Sequence, residues 1–95
     1  MSDMLDKKGK KKIIEKYRLN DSDTGSLDVQ IGLLSERINY LLSHLKEHPK
    51  DLHSKRGLLA MVAKRRKFLN LLKEESKERY EQVVKKTGLK KKIKD

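Results

Sequence analysis

Five polar residues within one short stretch, His44, His48, Asp51, His53 and Ser54, include the side-chain types that a zinc site or a hydrolytic triad would use. His44 and His48 stand four apart, one helical turn, a spacing that can hold zinc, and Asp51 or His53 could add a ligand. Two histidines do not fix a metal without a third positioned ligand, and pairs at this spacing arise readily by chance. Asp51, His53 and Ser54 supply acid, base and nucleophile by type, but near-neighbours in sequence do not easily converge on one reacting atom. The five glycines are isolated, so no glycine-rich loop is available to cradle a nucleotide phosphate. No enzymatic activity, metal, cofactor or small-molecule substrate is expected.

The same residue types suit recognition better. Thr24 and Gly25 precede Gln30: glycine lets a sugar-phosphate chain approach the backbone, a helix N-terminus favours phosphate, and a glutamine amide can read a base edge. The plain alternative is a loop and a helix cap. His44, His48, Asp51 and Ser54 are short polar groups suited to the wide, shallow minor groove of A-form RNA. Among them Asp51 is the telling member, since a carboxylate facing phosphates is unfavourable unless it accepts a specific hydrogen bond. It reads equally well as a turn residue or cap. Lys64, Arg65, Arg66 and Lys67 form a basic run whose bland reading is a solvated face and whose functional one is phosphate contact.

Charge decides between these in favour of contact. The 95 residues carry a formal net charge of +11, which attracts polyanions. Residues 61 to 95 hold thirteen basic and five acidic groups against seven and six in residues 1 to 30, so phosphate contacts should concentrate toward the C-terminus. Hydrophobic residues make up 35% of the chain and charged ones 41%, a balance that folds only if the apolar residues lie on periodic faces. A chain this short buries a modest core and is read as one domain, residues 1–95, without a deep catalytic cavity. It has no cysteine, no apolar run resembling a signal peptide and no stretch approaching a membrane span, so a cytoplasmic protein without a membrane partner is expected. Tyr17, Tyr40 and Tyr80 are scattered, which argues against a platform of stacked bases.

The elements that must position these groups are helices. A first, weaker one runs from near Asp6 to about Tyr17, with Ile13, Ile14 and Tyr17 on its apolar face. Asn20 to Ser26 is a cluster of turn formers and caps. From Ser26 to about His48, Leu27, Ile31, Leu34, Ile38, Leu41 and Leu45 recur at spacings of four and three and make one seam. Pro49 ends that helix. A second long segment, roughly Leu52 to Lys73, carries Leu58, Leu59, Met61, Val62, Phe68, Leu69 and Leu72, interrupted by Arg65 and Arg66. The short connection makes the two antiparallel, and burying both seams within one chain favours a monomer over a coiled-coil dimer. A last helix starts at Ser76, turns Tyr80, Val83 and Val84 inward and stops at Gly88, leaving residues 89–95 as a mobile basic tail. The expected fold is all-α: four helices, the second and third forming a long antiparallel hairpin packed by two shorter ones. Folding about Pro49 sets Gln30 opposite approximately residue 69, so Lys67 and Leu71 should flank the end bearing Thr24 and Gly25. The polar group around Asp51 falls at the other end.

Read in order, Asp23-Thr24-Gly25-Ser26 with Val29-Gln30, His44-Leu45-Lys46 with His48, Lys50-Asp51 with His53-Ser54, Arg56-Gly57-Leu58-Leu59, Met61-Val62 with Arg65-Arg66, and Glu78-Arg79-Tyr80 resemble bacterial small-subunit ribosomal protein fifteen. The resemblance spans nearly the whole chain, and it implies a primary ribosomal RNA-binding protein that joins a three-way RNA junction to a nearby helix minor groove. It further implies nucleation of platform assembly, a contact with large-subunit ribosomal RNA, and an association with other platform proteins mainly through RNA. Thr24, Gly25 and Gln30 match junction-contacting positions, and His44, Asp51 and Ser54 match those that read the groove. Three positions depart from the family pattern: Leu71 stands where a tyrosine is frequent, Leu52 where a histidine is common, and the lysine tail is longer. The alternatives, a helical DNA-binding regulator and a membrane-surface binder, lack respectively a short recognition helix and the aromatic residues that an interfacial face needs.

Overall fold

The structure, a computed structural model, describes residues 7–88. The start of the first helix at Asp6 and the tail at 89–95 lie outside these residues. Four helices follow in order: α1 (Lys7–Tyr17), α2 (Leu27–Glu47), α3 (Leu52–Glu75) and α4 (Lys77–Thr87), with no strand among the described residues. α2 and α3 form the expected hairpin, α1 packs on α2, and α4 packs on both hairpin helices.

Each boundary has a local cause. Ser26 caps α2, its Oγ accepting from the Val29 amide at 3.2 Å. The helix ends at Glu47 because His48, preceding Pro49, takes φ −130 and ψ 67, outside helical geometry. Asp51 caps α3 by accepting from the Ser54 amide at 3.1 Å. Ser76 serves two helices: its amide donates to Leu72 O at 2.8 Å, closing α3, while its Oγ accepts from the Arg79 amide at 3.2 Å, opening α4. Gly88, at φ 78, is the left-handed residue that stops α4.

The core sits at the hairpin end away from Pro49, where all four helices meet. Tyr17 from α1, Val29 and Ile31 from α2, Leu69 and Leu72 from α3, and Val83 and Val84 from α4 form one buried cluster. Ile31 and Leu72 are wholly enclosed, each contributing about 2 to 3 kcal/mol of burial. Toward the turn, among the described residues, the buried apolar contacts narrow to the seam between α2 and α3, through Leu34, Ile38 and Leu41. There the apolar stripe expected on α3 is narrower than the sequence suggests. Leu58, Met61 and Val62 are half-buried, and Leu59 is 66% exposed. Among the described residues no third element covers that stretch of α3, and Leu59 lies about 100° around the helix from Leu58.

The basic interruption of the stripe is resolved asymmetrically. Arg65 lies in the seam, its Nη1 donating to Ser35 Oγ at 3.2 Å, and burial pulls its guanidinium below the ordinary arginine value. Its methylene stem fills the apolar position while its head finds a polar partner. Arg66 is exposed. α4 is held by a second polar lock: the buried Asp28 carboxylate accepts from Arg79, with Nε at 3.2 and 3.4 Å from its two oxygens and Nη2 bonding as well. Arg79 Nη1 also reaches Glu75 Oε2 at 2.8 Å.

Candidate nucleic-acid interface

At the core end, the loop before α2 is organised by Asp23. One of its carboxylate oxygens accepts from the Leu19 amide at 2.8 Å, and the other from the Ser26 and Gly25 amides at 2.9 and 3.2 Å. Hydrogen bonding from Ser26 and then from the Leu19 amide lowers its pKa to about 2. Gln30, one turn into α2, donates its Nε2 to Gly25 O at 2.8 Å. That bond ties the loop to the helix and leaves the second amide hydrogen and the carbonyl oxygen of Gln30 for another partner. Thr24 and Gly25 are exposed, and Thr24 shares a shallow cleft with Lys10, Lys11, Ile14, Glu15 and Arg18. Asp23 was visible in the sequence only as one of several turn formers; its four-residue reach back to Leu19 is what defines the loop.

Lys67 and Leu71 stand at the same level of the hairpin, since Leu69 between them shares the core cluster with Val29 and Ile31. Both are exposed, one turn apart, and line a second shallow cleft on the outer side of α3 with Ala63, Arg66, Asn70 and Glu74. Lys64 is exposed too, with Nζ 5.7 Å from the centre of the Phe68 ring.

At the turn end, Asp51 is the hub. Its Oδ1 accepts from the Ser54 amide, while its Oδ2 accepts from Ser54 Oγ at 2.8 Å and stands 2.8 Å from His44 Nε2. These bonds, His44 first, hold its carboxyl well below the usual carboxylate range. An ionised carboxylate only accepts, so His44 carries its proton on Nε2 and turns Nδ1 away from Asp51. The residue types of a triad are present, but their connections are different: the serine bonds the acid, no histidine stands against its hydroxyl, and the histidine on Asp51 is His44, while His53 is exposed. His48 tilts against His44 with ring centres 4.8 Å apart, and Tyr40 lies parallel to His44 within 10° at 6.4 Å. Among the described residues no group of three or more histidines, cysteines and acids could hold a metal ion.

Tyr40 is therefore not the isolated tyrosine suggested by composition. It opens a line of three rings, 40 and 44 on α2 and 48 at its C-cap; its spacing of four from His44 was the available signal. Gln30 and His44 are fourteen residues apart in α2, which at about 1.5 Å per residue separates the two polar groups by about 21 Å.

A small, basic, four-helix protein with a hydrogen-bonding surface at each end of a rigid hairpin is the class that this fold and charge define. Residues 10–90 match the family model described as Ribosomal protein S15, and the chain belongs to that family. It is 55% identical over 87 residues to the small ribosomal subunit protein uS15 of Clostridium botulinum, covering 92% of this chain and 100% of that one. The corresponding protein of Carboxydothermus hydrogenoformans is also 55% identical, over 92% of this chain and 98% of its own. That of Dictyoglomus thermophilum is 54% identical with the same coverage. Among the described residues no helix is long and apolar enough to cross a membrane.

Proposed function

We propose that this chain is a structural constituent of the small ribosomal subunit that binds small-subunit ribosomal RNA at two places and joins them. The observation that carries the reading is the placement of two hydrogen-bonding groups at opposite ends of one hairpin, about 21 Å apart. Thr24, Gly25, Gln30, Lys67 and Leu71 take the three-way junction. His44, His48, Asp51 and Ser54 take the minor groove of a nearby helix, with Lys64 on the α3 stretch between; Arg65, bonded to Ser35 in the seam, serves the hairpin instead. Basic charge supplies attraction, and the short polar groups supply register.

A rigid bridge between two RNA elements holds them at one relative orientation, which is how a protein of this size would nucleate assembly of the subunit platform. Other platform proteins then associate mainly through the RNA it organises. The family resemblance also supports a contact with large-subunit ribosomal RNA in the joined ribosome, and the place of action is the cytoplasmic ribosome.

The test is binding to a small-subunit RNA fragment containing the junction and the adjoining helix, beside a plain RNA duplex and a DNA duplex at several salt concentrations. Tighter binding to the fragment at every salt is expected. Equal affinity for all three would reduce the protein to a general polyanion binder.

A further inference from the structure

Two glycines lie within the hairpin helices, and internal packing accounts for one of them. A Cβ at Gly32 would stand 2.3 Å from Tyr17 Cδ2, so that position must be bare for α1 to dock. A Cβ at Gly57 would meet nothing within 4 Å. Backbone geometry does not require a glycine there, because Gly57 lies inside α3 and Gly88 is the described glycine with positive φ. Glycine within a helix is less stable than alanine through its larger loss of backbone freedom. Nothing among the described residues offsets that loss at position 57.

The surroundings say what the bare position faces. Gly57 follows Ser54 by three residues, so the two are neighbours on one face of α3. Ser54 donates to Asp51, and Asp51 holds His44 of α2. The cross-hairpin bonds Arg65 to Ser35 and Asp51 to His44 set a register that brings Gly57 level with Tyr40, whose ring continues that of His44. The bare position thus lies one turn from Ser54 and, by that register, at the level of the linked His44 and Tyr40 rings.

We infer that Gly57 is the point of closest approach between protein and RNA, where a ribose edge of the minor groove lies directly against the α3 backbone. This deepens the minor-groove reading of the turn end and rests on it. Ser54 and His44 are short side chains tethered to Asp51, and they cannot extend to meet a distant partner. They reach a shallow groove only if the helix backbone itself comes close, and a side chain at 57 would hold it away. The 2′-hydroxyls of such a groove are the groups that these donors and acceptors would meet.

Gly57→Ala and Gly57→Leu in the full chain test this, each read by thermal unfolding and by affinity for the junction-containing fragment and for a plain RNA duplex. Both variants should melt higher than the parent, while affinity for the fragment falls roughly tenfold with alanine and further with leucine. Affinity for the plain duplex, governed by charge, should stay level. Equal losses with alanine and leucine would mean that helix flexibility mattered, and would overturn the inference. Unchanged fragment affinity in both variants, beside a parent chain that prefers the fragment, would overturn it alone. A parent chain with no preference for the fragment would remove the functional reading and this inference together.

Discussion

The ring of Tyr17 lies flat on the backbone of α2 at Gly32, so close that a Cβ there would stand within 2.7 Å of three of its ring carbons. Tyr17 is 3% exposed, and burial, with a smaller contribution from Glu36, raises its pKa above the ordinary tyrosine value. Lys86 of α4 closes the arrangement, donating to Lys16 O at 3.1 Å with its Nζ 5.7 Å from the Tyr17 ring centre. Gly32→Ala should therefore lower the melting temperature: overpacking costs about 1 to 3 kcal/mol and outweighs the gain of up to about 1 kcal/mol in helix propensity. The readout that separates undocking of α1 from general weakening is tyrosinate absorbance on alkaline titration. In the parent chain one tyrosine should titrate late; in the variant that late step should move down toward the ordinary value. A melting temperature at or above that of the parent would mean that the ring has room to shift.

The ion pair between Asp28 and Arg79 fastens α4 to the hairpin, and it should be costly to break from either side. Asp28 is 3% exposed, so removing Arg79 strands a carboxylate in the core end of the molecule. Arg79→Ala is expected to cost roughly 2 to 4 kcal/mol, somewhat less than a fully enclosed pair because the guanidinium is partly open to water. Adding Asp28→Leu to it should recover part of that loss. Denaturant unfolding of the two single variants and the double variant would give the coupling, and additive losses would show that the pair does not act as a unit.

Most of this fold was legible because its signals are local and mutually consistent. Ser26, Pro49, Ser76 and Gly88 mark helix ends by chemistry that needs no tertiary context, and the spacing of Leu27, Ile31, Leu34, Ile38, Leu41 and Leu45 fixes the face of α2. What the sequence did not disclose depends on pairing across helices. Arg65 read as part of a surface basic run because its partner Ser35 is thirty residues away, and Leu59 read as core because the end of coverage by α1 and α4 cannot be seen in a linear pattern. The site divides the same way. Asp51 was open between cap and recognition, and the structure makes it the cap and hub on which His44 and Ser54 depend. Tyr40 reads in the sequence as one of three scattered tyrosines and Gly57 as an isolated glycine, because their meaning lies in what adjoins them across the hairpin.

Acid should loosen the loop before α2. The pKa of Asp23 is lowered from 3.8 to about 2 by its bonds to Ser26 and the Leu19 amide. A depressed carboxyl contributes stability that is present above its unfolded value and is lost as pH falls through the folded one. The melting temperature of the parent chain should thus exceed that of Asp23→Asn at about pH 5, and the difference should shrink as pH falls toward about 2. Asp51, shifted down as well, adds a second decline in the same direction, which Asp23→Asn leaves in place. A constant gap between the two proteins across this range would mean that the bonds to Asp23 do not depend on its charge.

Lys67 and Asp51 should separate attraction from specification. Lys67 is exposed on the outer side of α3, and as a phosphate contact it would release about one counterion. Lys67→Ala should weaken the junction fragment and plain duplex alike and flatten the dependence of affinity on salt by about one unit of slope. Asp51→Ala should act otherwise, because a carboxylate repels phosphate and Asp51 bonds both His44 and Ser54. Its loss should lower the melting temperature by a few degrees through the missing cap and weaken the fragment more than the duplex, with little change in slope. Asp51→Asn keeps an oxygen for the Ser54 amide but has no negative charge to hold His44, so it should restore much of the stability and little of the preference. If Asp51→Ala instead tightened binding to every RNA by the same factor, the carboxylate would be acting as a simple repulsive charge, and the turn end would be a cap rather than a reading surface.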